Sequence, residues 1–204
     1  MSAGRLATVA LFSRSLLVAV LLGLAVGSCT QRTEGEAPAW EAGGADAGQP
    51  VDPALLAFLS KARAAHHRAD AFEQSGNLDL SIAELQRVTT GAVPRGDRPY
   101  VEADEVLADT RARLADLKSR LGRFDDALGD VAAGLKLARA RTYFRGHLFE
   151  VRGLVEERRC NTLAKQGHEV EAQAAKERAL KSFEQAIDIQ DEVIRKSLST
   201  EQPR

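Results

Sequence analysis

The sequence predicts an all-α fold of antiparallel helical hairpins, and three observations carry that expectation. Ala, Leu, Glu and Arg crowd the second half of the chain while aromatics make up only 5%, and Ala and the straight-chain residues lose least on entering a helix. No stretch alternates β-branched and polar residues, the pattern of a half-buried strand. Gly76, Gly122 and Gly167 stand at nearly even spacing, each where a helix can end in a left-handed residue and the chain turn back. The length of 204 residues, with 44% hydrophobic and 28% charged, suits one globular domain with a tail. The formal net charge of −1 gives no basic footprint of the kind nucleic-acid binding needs, so no nucleic-acid partner is expected.

Residues 1–28 do not belong to the predicted fold. Met1 to Arg14 carries two arginines and no acid, and Ser15 to Gly27 is free of charge. A basic start, an apolar run and a small-residue exit describe a secretory signal peptide, and the run falls short of the roughly 20 residues that span a bilayer. The exit reads Val26-Gly27-Ser28-Cys29, which resembles the lipobox of bacterial lipoproteins. That resemblance implies a diacylglycerol thioether on Cys29, cleavage after Ser28 and acylation of the new amino group. It implies a lipid-anchored protein of the cell envelope. Thr30, standing where Asp would suggest inner-membrane retention, directs the expectation to the outer membrane, facing the periplasm. The alternative is an uncleaved signal anchor with an incidental cysteine. Arg5 and Arg14 are not adjacent, so no twin-arginine signal is visible. Their loss with residues 1–28, which hold no acid, takes the net charge from −1 to −3.

Residues 29–51 read as a flexible tether. Thr30 to Pro50 is rich in Gly, Ala, Glu and Pro, with Trp40 its one aromatic. Such a segment buries too little surface to offset its ordering entropy, and it would span on the order of 25 Å on average. Trp40 either dips into a lipid interface or is a lone exposed aromatic. The folded part, 52–198, opens at Asp52-Pro53, a good N-cap followed by a residue welcome at the first helical position. Helices are expected at roughly 53–75, 78–90, 101–121, 124–140, 143–166 and 168–197. The stretch from Gly91 to Tyr100, with Pro94, Gly96 and Pro99, is a loop, and residues 199–204 form a disordered tail.

Small residues recur at fixed offsets from the turn glycines. Ala69 lies seven before Gly76, Ser81 five after it, and Val88 seven beyond that; Ala115, Ala127 and Gly134 repeat the offsets around Gly122. The stretch RLADLKSRLGRFDDALGDVAAGLKL, from Arg113 to Leu137, resembles the tetratricopeptide repeat (TPR), whose helices cross closely at such positions. Phe124 and Leu78 occupy the bulky position two after the glycine, and Val131 and Leu85 the large apolar position of the second helix. In a third unit Gly153 precedes Gly167 by 14 residues, Ala179 follows it by 12, and Ala186 comes seven later. Both arms have thus gained seven, about two helical turns. The resemblance implies a short right-handed TPR-like solenoid with its last hairpin elongated. Two features depart from the family. The repeat intervals of 46 and 45 residues exceed the usual 34, and Ala65 and Arg111 replace a large aromatic. An irregular antiparallel bundle is the alternative.

Motifs of chemistry are scarce. His66 and His67 point about 100° apart on a helix, and His147 and His168 have no histidine four residues away. No zinc-protease motif and no Glu-x-x-His pair of the di-iron type is present, so no metal site, cofactor or catalytic residue is expected and an enzyme is disfavoured. Once Cys29 carries lipid, Cys160 is the remaining cysteine, expected as a small hydrophobe rather than a redox thiol. Gly91-Ala-Val-Pro-Arg-Gly96 has P-loop glycine spacing, but Asp97-Arg98 replaces Lys-Ser/Thr and no strand precedes it.

What remains is surface. The TPR resemblance places Arg63, His66, Asp70, Glu73, Asp109, Asp116 and Arg120 on a concave wall that typically accepts a peptide or helix. Asp70 and Asp116 stand where a carboxylate-holding clamp would have asparagine, so a basic or mixed-charge segment is the better ligand. The function expected is a membrane-anchored scaffold or assembly factor with protein partners in the cell envelope. The alternative is a helical bundle binding a small molecule or metal in the periplasm. The last helix adds a heptad stripe of Ala172, Ala179, Ala186 and Val193, reinforced by Phe183, Ile187 and Ile194. Its tip around Val193, Ile194 and Leu198 is expected to overhang its hairpin and to support self-association or a partner.

Overall fold

The computed structural model describes residues 52–96 and 99–200; the expected signal peptide, Cys29, the expected tether with Trp40, and residues 201–204 lie outside them. Six helices make up most of the described chain: α1 (Pro53–Gln74), α2 (Leu78–Thr89), α3 (Val101–Arg120), α4 (Phe124–Leu137), α5 (Tyr143–Lys165) and α6 (Glu169–Thr200). Among the described residues there is no strand, only an isolated bridge between Arg95 and Pro99 in the long loop. None of the described helices is long and apolar enough to cross a membrane.

Local chemistry accounts for the helix ends. Asp52 caps α1 by accepting from the Ala54 N–H at 2.7 Å, with Pro53 at the first helical position. The Tyr100 hydroxyl also donates to Asp52, tying the start of α1 to the start of α3. These hydrogen bonds, Tyr100's first and Ala54's second, hold the Asp52 carboxyl below the usual carboxylate range. The turn glycines have φ of +79°, +75° and +79°, a region other residues enter at a cost. The same closing bond recurs after each: Asn77 N–H to Phe72 O at 2.8 Å, Arg123 N–H to Lys118 O at 3.0 Å, and His168 N–H to Leu163 O at 3.0 Å. This six-to-one pattern satisfies carbonyls that the helix leaves open.

Two ends differ from the sequence expectation. α4 stops at Leu137 rather than 140: Ala138 leaves the helical region at φ −80° and ψ +70°, and Arg145 of α5 donates to its carbonyl at 2.9 Å. α6 continues to Thr200, taking in Ser199 and Thr200 from the expected tail. No glycine or proline interrupts it before Pro203.

The helices pair as three sequential hairpins, α1 with α2, α3 with α4, and α5 with α6. Their first helices form a row, α1 against α3 and α3 against α5, while α2 and α4 each also pack on the first helix of the next hairpin. The small residues at the glycine offsets sit at these seams. Ala69, Ser81, Ala115 and Ala127 are wholly buried, and Val88, Ala179 and Ala186 nearly so. A Cβ on Gly134 would lie 2.6 Å from Leu148 Cδ2, and one on Gly153 would lie 2.5 Å from Phe183 Cε1. Both glycines therefore let a large neighbour approach backbone. One core unites Ala108, Ala112 and Ala115 of α3 with Ala127 and Val131 of α4 and Leu148, Val151 and Val155 of α5.

On α6, Ala172, Ala179 and Ala186 are buried as expected, and Val193 packs on the cluster of Phe149, Ala186 and Ile189. Ile187 and Ile194, expected to reinforce that stripe, face away and are 62% and 55% exposed, with Leu198 at 62%. One helical step of about 100° separates Ile187 from buried Ala186 and Ile194 from half-buried Val193.

Candidate functional site

The row of first helices presents a continuous face, and all seven sequence-nominated surface residues lie on α1 and α3 within it. The structure sorts them into two groups. Arg63 and His66 of α1 and Asp109 of α3 line a cleft of about 310 Å³ together with Leu59, Ala62, Val106 and Phe144. The other four, Asp70, Glu73, Asp116 and Arg120, lie about one to three turns further along and are drawn into ion pairs.

That ion-pair network is internally balanced. Arg113 donates to Asp70 and to Glu73, the latter at 3.1 Å, and Arg120 donates to Glu73. Arg158 of α5 reaches Asp116 at 2.8 Å and the Ser119 hydroxyl at 2.6 Å. Three acids meet three arginines across α1, α3 and α5, so this end of the face is stapled and neutralised rather than open for a ligand. Burial raises the Glu73 carboxyl, but the hydrogen bonds from Arg120 and Arg113 outweigh it and hold the group below the usual range. Burial likewise works against the Arg113 charge, and the bonds to Asp70 and Glu73 more than restore it.

The cleft differs. Leu59, Ala62, Val106 and Phe144 give it apolar walls, and among the described residues neither Arg63 nor Asp109 has a hydrogen-bond or ion-pair partner. His66 is fixed within it: Nε2 lies 2.8 Å from Thr110 Oγ1, while that hydroxyl lies 2.7 Å from the Val106 carbonyl. The hydroxyl hydrogen is committed to the carbonyl, so Nε2–H donates to Thr110 and Nδ1 keeps its lone pair. Burial pushes the imidazole below its ordinary value against the pull of Asp109, with Arg113 lowering it further and Asp70 opposing. The neutral form is the one held here.

Sequence reasoning missed the apolar walls and two of the three stapling arginines, Arg113 and Arg158. Leu59 and Val106 were within reach, lying four and three residues before Arg63 and Asp109 and thus on the same helix faces. Phe144 was not: the offsets used for the first two units stop short of the elongated third. A hollow of about 340 Å³ between Ala54, Ala57, Phe58, Lys61 and the loop residues Ala92 to Pro94 is larger but offers one charge and no opposing one. Among the described residues no group of three or more His, Cys, Asp or Glu is placed to hold a metal ion. Cys160 is half-buried and unpaired. Comparison of the chain with protein families, with curated proteins and with solved structures finds no match.

Proposed function

We propose that this chain is a lipid-anchored scaffold or assembly factor of the bacterial envelope, whose TPR-like right-handed solenoid grips a segment of a partner protein in the α1–α3–α5 cleft. One observation carries the reading: apolar walls lie beside two uncompensated opposite charges, Arg63 and Asp109, on a face whose neighbouring charges neutralise one another. A peptide with a branched apolar side chain, an acid on one side and a base on the other, complements that arrangement; an anionic C-terminus alone would leave Asp109 opposed. Support for the TPR register comes from the burial of the small residues at the glycine offsets and from the packing of each second helix on the next hairpin.

Reversing the cleft charges with Arg63→Glu plus Asp109→Lys should abolish capture of the partner from envelope extract, because both side chains are partner-free and the fold should persist. Capture equal to wild type, with an unchanged melting temperature, would remove the cleft from the account. Anchoring is tested separately. Cys29→Ser should leave an unprocessed protein that releases no acylated mature form; normal processing and membrane retention of that variant would defeat the lipoprotein reading.

A further inference from the structure

A second charged hollow lies between α5 and α6. Arg145, Phe149, Arg152 and Glu156 follow one another at helical spacing along α5 and so share a face. Glu156 is 2% exposed and accepts two bonds from Arg178 of α6, Nε to Oε1 at 2.7 Å and Nη2 to Oε2 at 3.0 Å. A guanidinium has five N–H groups, so three remain on Arg178, and among the described residues none of these has a partner. The buried carboxylate thus fixes the arginine while leaving most of its donors available.

Arg178 lines a cavity of about 270 Å³ with Arg152, Lys181, Ser182 and Gln185. No acid lines it, and neither Arg152 nor Lys181 has an ion-pair partner among the described residues. Ser182 donates its hydroxyl hydrogen to the Arg178 carbonyl at 2.7 Å, and the Gln185 amide adds a neutral donor at the rim. The adjoining hollow, which shares Gln185, is different: its Arg141 is already paired with Asp188 and Glu192. Positive charge therefore goes uncompensated at the Arg152 end, in a chain whose overall formal charge is −1.

We propose that the α5–α6 cavity is a binding site for a phosphate group, with Arg152 and Lys181 supplying the charge and Arg178, held by Glu156, supplying a fixed fork of donors. A phosphate monoester carries roughly −1.5 to −2 charge near neutral pH, which matches two free cations where a carboxylate would match one. Arginine donors suit its oxygens in charge-assisted, directional bonds. The phosphate can belong to a lipid headgroup or to a soluble phosphorylated compound, since the cavity recognises the chemistry the two share.

The test uses full-length protein in detergent, titrated calorimetrically with inorganic phosphate at low salt. Binding is expected, with acetate at the same concentration giving none, and Arg152→Gln plus Lys181→Gln should weaken it by about tenfold or more, as loss of charge-assisted bonds implies. Arg139→Gln, in the connection before α5 and outside this cavity, should leave it unchanged. In flotation, greater retention on vesicles of phosphatidylcholine with phosphatidic acid than on phosphatidylcholine alone, lost in the double variant, assigns the site to a lipid headgroup. Phosphate binding with no such difference assigns it to a soluble ligand. No response to either probe, or an equal response in a double variant whose circular dichroism is that of wild type, overturns the proposal.

Discussion

Ala69, Ser81, Ala115 and Ala127 are each 0% exposed, and at those positions helices come together side chain against backbone. Ala127 shows how a single residue sets that distance. It packs in one core with Ala112, Ala115 and Val151, whereas Ala132, five residues on, is exposed. Ala127→Leu should overpack the seam and cost about 1–3 kcal/mol, and Ala132→Leu should leave stability nearly unchanged. Thermal unfolding of the two variants checks this, and equal melting temperatures would contradict the register. These positions were legible because each follows a turn glycine by a fixed offset. The pairing of Arg113 with Asp70 and Glu73 was not: it joins side chains 43 and 40 residues apart, and long flexible arginines leave no spacing signature. The cleft was half legible for the same reason, its charges through repeat position and its Phe144 wall only through the packing of the third hairpin.

At the scale of elements, glycine-closed helices kept their expected ends to within a residue or two, because a left-handed residue and its six-to-one bond are written locally. α4 has no such stop. Ala138-Arg139-Ala140-Arg141 is good helix-forming sequence, yet the helix ends before it, and the Ala138 carbonyl is taken by Arg145 reaching back from the following element. Tertiary context of that kind has no local trace. α6 shows the converse: with nothing to stop it the helix runs for 32 residues against 23 in its partner α5. Its small-residue stripe was readable from heptad spacing, but the isoleucines one step round the helix were assigned to the same face although they occupy the other.

Taken whole, the domain leaves Leu180, Ile187 and Ile194 exposed at seven-residue intervals on its last helix, with Leu198 beyond. A second copy laid antiparallel across Ile187 would set Leu180 of each chain against Ile194 of the other. Glu184 and Asp191 lie along the same stripe, so like charges meet in that pair and salt should strengthen it. Sedimentation of residues 50–204 should show self-association that rises with salt and is lost in Ile187→Glu plus Ile194→Glu; a monomer throughout would end this expectation. Val193, expected at the free tip, packs inside its own hairpin instead. The pairing scheme has a consequence in time as well. Every helix touches only its neighbour or next neighbour along the chain, so no early segment waits for a distant one, and loop closure is short at each step. Chains of low contact order fold quickly. A polypeptide delivered amino end first can close each hairpin while the next is still arriving, and reach its final form by accretion.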